Sequence, residues 1–347
     1  MNGVTVNARC ADTKYKLLIR EKVTVIRGQS GTGKTRLIDI IRSTVPGNPT
    51  YQVDVSHRLF ISAPSAADLL RNSVESWKDT LVFVDERIVD SLGDYFCSLV
   101  RESEAYWIII SRNDDILRTI PFSMFEAYEF VKTNNVIVNK QIFSCDSRTF
   151  GGKFAVNTVT GFITEDSASG WYFFNKALPK AVVKDSASSN TKVVSTVVKH
   201  LGSSACILVL FDACAFGPFL GDLLSLLDMP EYKQSDICFY AMESFEWFLL
   251  HSLQIKHLPK VQDVLSNPYK YAYHPKYITY EGFYEEELSD NCIVMGKSYD
   301  KSCKDHPFYT TSNIIHLLSL IPNTDFSKVQ IDTDMTESLN DLLKKHS

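Results

Sequence analysis

Read for its apolar and polar positions, the chain alternates short β-type runs with helical ones. Residues 4–8 (VTVNA) and 15–19 (YKLLI) alternate and predict two half-buried strands. Four β-branched residues and Arg27 at 23–27 (VTVIR) predict a third, followed by a helical period that runs to Ile41. Val53, Val55 and residues 58–62 read as strand, as do 81–84 (LVFV) and 107–110 (WIII). The last two are continuous apolar runs, expected of strands buried on both faces of a parallel sheet. Helical patterns at 65–77 and 89–104 separate them. After residues 145–156, rich in Ser, Gly and Thr, the alternation resumes with strands at 159–164, 181–184, 206–211 and 237–241 and helices at 171–178 and 193–200. Later, residues 308–320 predict a helix with Thr311 or Ser312 near its cap and Pro322 as its stop. Leu339, Leu342 and Leu343 mark a short amphipathic tail. The expected class is α/β: a parallel-sheet domain over 1–140, a second α/β domain over 141–259 and a mixed C-terminal extension over 260–347.

The polar residues that matter fall at the ends of these strands. The third strand runs into Gly28-Gln29-Ser30-Gly31-Thr32-Gly33-Lys34-Thr35, a complete G-x-x-x-x-G-K-[ST] phosphate-binding loop between strand and helix. Its glycines let successive N–H groups turn inward on a phosphate, and the helix that follows adds the positive end of its dipole. Lys34 would reach the β- and γ-phosphates, and the Thr35 hydroxyl would join the shell of a Mg²⁺ ion. LVFV is followed by Asp85-Glu86, where Asp85 would hold Mg²⁺ through water and Glu86 would polarise the attacking water. After WIII come Ser111 and Asn113, candidate sensors of the γ-phosphate, with a plain strand-end turn as the alternative. Arg112 and Arg118 are candidate arginine fingers, a surface ion-pair role being the alternative.

Composition narrows the picture only a little. At 347 residues, 45% hydrophobic and 12% aromatic, the chain can bury sizeable cores in two or three domains. A net charge of −5 argues against coating nucleic acid through an overall field. Locally, however, Lys176, Lys180, Lys184, Lys192 and Lys199 form a basic stretch that would suit DNA or RNA phosphates, or would simply be a solvated face. Tyr269, Tyr271, Tyr273, Tyr277, Tyr280 and Tyr284 would stack bases or pack an irregular cap. The eight cysteines form no C-x-x-C pair, and Cys292, Cys303 and His306 are too few and oddly spaced for zinc. With no signal peptide and no run of 18 apolar residues, a cytoplasmic protein that does not engage membranes is expected.

The first 120 residues or so resemble the P-loop NTPases that carry a catalytic Glu after the second motif. They lack an L-S-G-G-Q-like signature, and the absence of N-K-x-D favours ATP over GTP. The order of elements after residue 141 resembles the Toprim fold, as in overcoming-lysogenisation-defect proteins and other phage-defence ATPase–nuclease proteins. The matching positions are Glu165 with Asp166, Ser189-Asn190-Thr191-Lys192, Asp212-Ala213-Cys214 against a D-x-D, and Glu246 in Glu-Trp-Phe-Leu-Leu. The resemblance implies one or two Mg²⁺ ions on Glu165, Asp166, Asp212 and Glu246, with Glu243 or Asp222 as further candidates, and nucleic-acid cleavage gated by ATP in mobile-element or anti-phage defence. Cys214 stands where the second Asp is expected, and a thiol is a poor ligand for hard Mg²⁺. The alternatives are an ATP-dependent switch or assembly protein with a degenerate second domain that acts through a homo-oligomer or partner protein, and a small-molecule kinase.

Overall fold

A computed structural model of the chain describes residues 3–11, 13–27, 31–44, 50–111, 125–143, 148–151, 157–215, 219–271, 276, 281–293, 299–304 and 306–326. The chain divides into two compact units, Met1–Cys145 and Asp146–Ser347.

The first unit opens with β1 (Val4–Cys10), β2 (Thr13–Ile19) and β3 (Val23–Arg27), then α1 (Lys34–Ser43), β4 (Tyr51–Val55) and β5 (Phe60–Ser62). It continues through α2 (Ala66–Arg71), β6 (Thr80–Asp85), α3 (Glu86–Leu92), α4 (Asp94–Glu102), β7 (Tyr106–Ile110), β8 (Phe125–Thr133) and β9 (Val136–Phe143). The nine strands make one sheet in the order β4-β1-β2-β9-β8-β3-β7-β6-β5. The parallel sheet expected for residues 1–140 is thus only part of a mixed one. Strands β8, β3, β7, β6 and β5 run parallel to one another. By contrast, β1 is antiparallel to β2 and β4, and β8 is antiparallel to β9. The cause is visible in burial: β1 and β2 alternate buried and exposed positions, as a sheet wing with one wet face must, whereas β6 and β7 are buried almost throughout.

The hairpin β8–β9, whose turn residue Asn134 has φ 55°, inserts between the N-terminal hairpin and the parallel strands. Asn139 fixes its register by bonding Leu18 twice, its Oδ1 accepting from Leu18 N at 2.9 Å and its Nδ2 donating to Leu18 O at 2.8 Å. On one face, Ile26, Ile108, Ile110, Leu81 and Phe83 pack with Leu37, Ile38 and Ile41 of α1. On the other, Trp107 meets Phe96 of α4 edge-on at 5.3 Å. The helix expected at 65–77 is α2, opened by a Ser65–Asp68 capping box, then a 3₁₀ turn that buries Trp77. The helix expected at 89–104 is two, because Gly93 adopts φ 53° and breaks it.

The second unit comprises β10 (Thr149–Gly151), β11 (Asn157–Thr158), β12 (Gly161–Thr164), α5 (Ser169–Ala177), β13 (Val183–Ser186), α6 (Val193–Lys199) and β14 (Ile207–Asp212). Then follow α7 (Leu220–Asp228), α8 (Pro230–Gln234), β15 (Ile237–Met242), α9 (Phe245–Leu250), α10 (Pro259–Ser266), α11 (Glu281–Ile293), α12 (Thr311–Ser319) and β16 (Thr324–Asp325). Its main sheet has the order β10-β15-β14-β12-β13, parallel from β15 to β13 with β10 antiparallel at the edge. One continuous core joins Phe173 and Phe174 of α5 to Phe245 and Phe248 of α9, Tyr284 and Leu288 of α11, and Leu317 of α12. Residues beyond 260 therefore complete the same core as the sheet. The opposite sheet face (Ile163, Val209, Phe211, Phe239) is buried as well, with α6 against β12. Among the described residues no helix is long and apolar enough to cross a membrane.

Candidate functional site

Two sets of polar residues gather at the carboxyl ends of parallel strands, where open α/β sheets present their ligand crevices. In the first unit, Ile26 of β3 pairs with Ile110 of β7, which also pairs with Asp85 of β6. The chain leaves these three adjoining strand ends at the glycine-rich loop, at Ser111 and at Asp85-Glu86. Gly28, Gln29 and Ser30 lie outside the described residues, as do Asn113, Arg112 and Arg118. The rest of the loop takes the shape that its glycines allow, with φ 85° at Gly31 and 90° at Gly33. Lys34, buried on the first turn of α1, donates to Thr32 Oγ1 at 3.1 Å, and Thr35 is exposed beside it. Tyr15 of β2 donates its hydroxyl to Gly33 O at 2.8 Å. Burial holds the Tyr15 phenol up to about 12, so it stays a proton donor. Asp85 caps α3, its Oδ1 accepting from Ile88 N at 3.2 Å, and Glu86 opens that helix. Ser111 is fully buried, and its backbone N–H donates to Ile26 O at 3.1 Å.

In the second unit, Glu165 follows β12, Asp212 ends β14, and Glu246 lies on α9 just after β15. Register brings them together: Thr164 pairs with Leu210, and Asp212 with Met242. Glu165 Oε2 accepts from Asp212 N at 2.6 Å. Asp212 and Glu246 meet a third carboxylate, Glu281 at the start of α11, with one oxygen of each within 4.8 Å of the others. Asp166 is not in this triad. Its oxygens accept from Gly170 N (2.9 Å), Trp171 N (3.0 Å) and Ser169 Oγ (3.2 Å), so it ties down the first turn of α5. A recess of about 10 Å³, the scale of one water-sized occupant, is lined by Glu165, Asp166 and Asp212 with Phe174, Met242 and Phe245.

Negative charge dominates this site. Burial, then the neighbouring carboxylates, pushes Asp212 well above the usual range. Burial likewise raises Glu165, against the N–H of Asp212 that it accepts. Burial raises Glu246 too, against Lys301 and Tyr299. At an effective dielectric of about 20, each ionised pair under 5 Å apart costs roughly 3 kcal/mol. Lys301 Nζ meets Glu285 Oε1 at 2.6 Å, Glu281 Oε2 at 2.7 Å and Glu246 Oε1 at 3.5 Å, and one ammonium cannot neutralise so many acids. Glu246, 1% exposed, accepts from Tyr299 Oη at 2.7 Å on Oε1, while its buried Oε2 has no hydrogen-bond partner. Hard oxygen donors, excess negative charge and an orphaned buried carboxylate oxygen together fit a divalent cation such as Mg²⁺ or Mn²⁺.

Cys214 stays out of the triad: it is buried in a 3₁₀ turn, its N–H donates to Glu243 O at 3.0 Å, and burial pushes its thiol far up. Glu243 itself pairs with Arg148 at 3.0 Å, and Asp222 is exposed on α7. Glu281 and Lys301 escaped sequence reasoning because nothing in their neighbourhood resembles a motif; only the packing of α11 on α9 brings Glu281 in.

Of the other candidates, the five lysines spread over α5, β13 and α6 and the turns between, where Lys184 bonds Asn175 Oδ1 (3.1 Å) and Pro179 O (2.7 Å). Tyr271 stacks on Phe283 at 5.0 Å and Tyr284 is fully buried, so these two pack the body. Tyr273, Tyr277, Tyr280 and the leucines of the tail lie outside the described residues, as does the side chain of Tyr269. Among the described residues, Cys292, Cys303 and His306 form no ligand cluster. No family model matches the chain, and no curated protein matches it.

Proposed function

We propose that the protein binds and hydrolyses ATP in its first unit, in the manner of P-loop NTPases. Its nucleotide state then gates a Toprim-like nuclease centre in the second unit, within mobile-element or anti-phage defence. The observation that carries the reading is the register of β3, β7 and β6, which brings the glycine-rich loop, Ser111 and Asp85-Glu86 to the carboxyl ends of three adjoining strands. There Lys34 would bind the β- and γ-phosphates, Thr35 and Asp85 would hold Mg²⁺, and Glu86 would orient the attacking water. In the second unit Asp212, Glu246 and Glu281, with Glu165 beside them, would hold Mg²⁺ or Mn²⁺. When bound, such an ion stabilises charge on a phosphodiester. The protein's own part is to hold Glu165 and Asp212 at strand ends and Glu246 and Glu281 at the starts of α9 and α11, whose aromatic residues join one core.

The burial of Cys214, away from the triad, favours one second reading: a nucleotide-driven switch whose Toprim-like domain no longer cleaves. The test is degradation of plasmid, single-stranded DNA and RNA with Mg²⁺ or Mn²⁺, with and without ATP. Lys34→Ala should lower ATP turnover by a hundredfold or more. Asp212→Ala should abolish cleavage and leave turnover intact. Cleavage that survives Asp212→Ala would overturn the nuclease, and ATP turnover without cleavage under either metal would leave the switch as the reading.

A further inference from the structure

Lys301 bridges two of the three triad carboxylates, Glu246 and Glu281, and is shared with a third acid, Glu285, that lies outside the triad. Glu285 stands four residues after Glu281 on α11, hence on the same helix face one turn along. The segment that carries Lys301 is anchored two residues earlier. Tyr299 donates to Glu246 Oε1 at 2.7 Å and sets its ring against His306 at 5.1 Å. The ammonium is thus delivered to the cluster by a fixed strap, with its side chain 37% exposed and a retreat already provided at Glu285.

We propose that Lys301 is a tethered counter-cation that competes with a divalent metal ion for the carboxylates of Asp212, Glu246 and Glu281, and so sets how much Mg²⁺ or Mn²⁺ the site requires. An acidic cluster alone would not justify a cation site. The independent mark is Glu246, 99 parts in 100 shielded from solvent, whose Oε2 is left without a donor although Tyr299 and Lys301 both serve Oε1. The resident cation therefore satisfies half of this carboxylate, and an ion that ligates Oε2 completes it. An ammonium and a divalent ion on the same carboxylates repel each other, so entry of the metal requires Lys301 to give up Glu246 and Glu281 while it keeps Glu285. The inference rests on the metal centre proposed above but not on the nuclease assignment.

The experiment is calorimetric titration of the full chain with Mn²⁺, without nucleotide, for wild type, Lys301→Met, Lys301→Arg, Lys304→Met and Asp212→Asn. Lys301→Met keeps the aliphatic stem and removes the charge; it should bind Mn²⁺ at least tenfold tighter than wild type. Lys301→Arg should stay within about threefold of wild type, and so should Lys304→Met, which removes a nearby charge that faces Tyr172 rather than the triad. Lys301→Gln, checked by circular dichroism, stands in if the methionine variant does not fold. Unchanged or weaker Mn²⁺ binding in the charge-free variants overturns the competition. An equal gain in Lys304→Met also overturns it, because the effect would then be the general field. Wild-type affinity in Asp212→Asn overturns the metal centre itself, a failure that the lysine variants do not mimic.

Discussion

Carboxylates at the ends of neighbouring strands differ in their surroundings, and Asp166 after β12 and Asp212 at the end of β14 show how to tell them apart. Asp166 receives three donors at the start of α5, and Gly170 makes the approach possible, since a Cβ there would lie 2.7 Å from Asp166 Oδ1. Asp212 is held among other acids and is raised by burial and by Glu165. Asp166→Ala should therefore lower stability by about 1–2 kcal/mol. Asp212→Asn should leave metal-free stability unchanged or raise it, since it removes like-charge repulsion that the fold bears for the sake of the site. Denaturant unfolding in the presence of a chelator checks both; equal losses in the two variants would refute the division of roles. From sequence the two residues looked alike, because each is an aspartate at the carboxyl end of a strand, Asp166 after β12 and Asp212 closing β14. Only the position of the Gly170 and Trp171 N–H groups separates them.

At the scale of elements, the strands and helices were largely legible. The continuous apolar runs LVFV and WIII became β6 and β7, and the sequence CILVLF became β14, because burial on both faces leaves no other pattern. Strands β8 and β9 were not foreseen. Their residues (FEAYEFVKT and VIVNKQIF) mix charges among apolar positions, and Glu126 is fully buried in β8, accepting from Tyr128 Oη at 2.6 Å, from Gln141 Nε2 at 3.3 Å and from the distant Arg20 N at 3.0 Å. That hairpin and β2 wall in the phosphate loop. A Cβ on Gly33 would meet Tyr15 Oη at 2.7 Å and Ile137 Cδ1 at 2.9 Å, in a backbone conformation that already disfavours a side chain. Gly33→Ala should weaken binding of a fluorescent ATP analogue at least tenfold. Tyr15→Phe, which loses one hydrogen bond, should weaken it only severalfold. Wild-type affinity in Gly33→Ala would show that the wall does not shape the loop.

For the molecule as a whole, a weak point toward acid lies in the second unit, at a half-buried histidine. Burial, followed by the charges of Arg148, His316 and Lys256, lowers His251 to about 4, and its ring sits edge-on to Trp247 at 4.7 Å. A lowered folded pKa means that the unfolded chain takes up the proton first. Stability is therefore intact above about 6.5 and declines as pH falls toward about 4. The loss should be of order 2–3 kcal/mol, read by guanidinium unfolding at pH 7 and 4.5, and His251→Phe should flatten the slope by that amount. An identical slope in both proteins would assign the acid sensitivity elsewhere.

The first unit carries a different consequence, set by the insertion of β8–β9 between strands made at the start of the chain. Leu18 and Asn139, which lock the two parts together, are 121 residues apart. A ribosome that adds roughly 5–20 residues per second leaves β2 without its neighbour for on the order of ten seconds. The glycine loop is made well before one wall of it, Ile137 of β9, the last strand of the unit. A nascent chain therefore exposes its glycine-rich loop long before β9 is there to close around it.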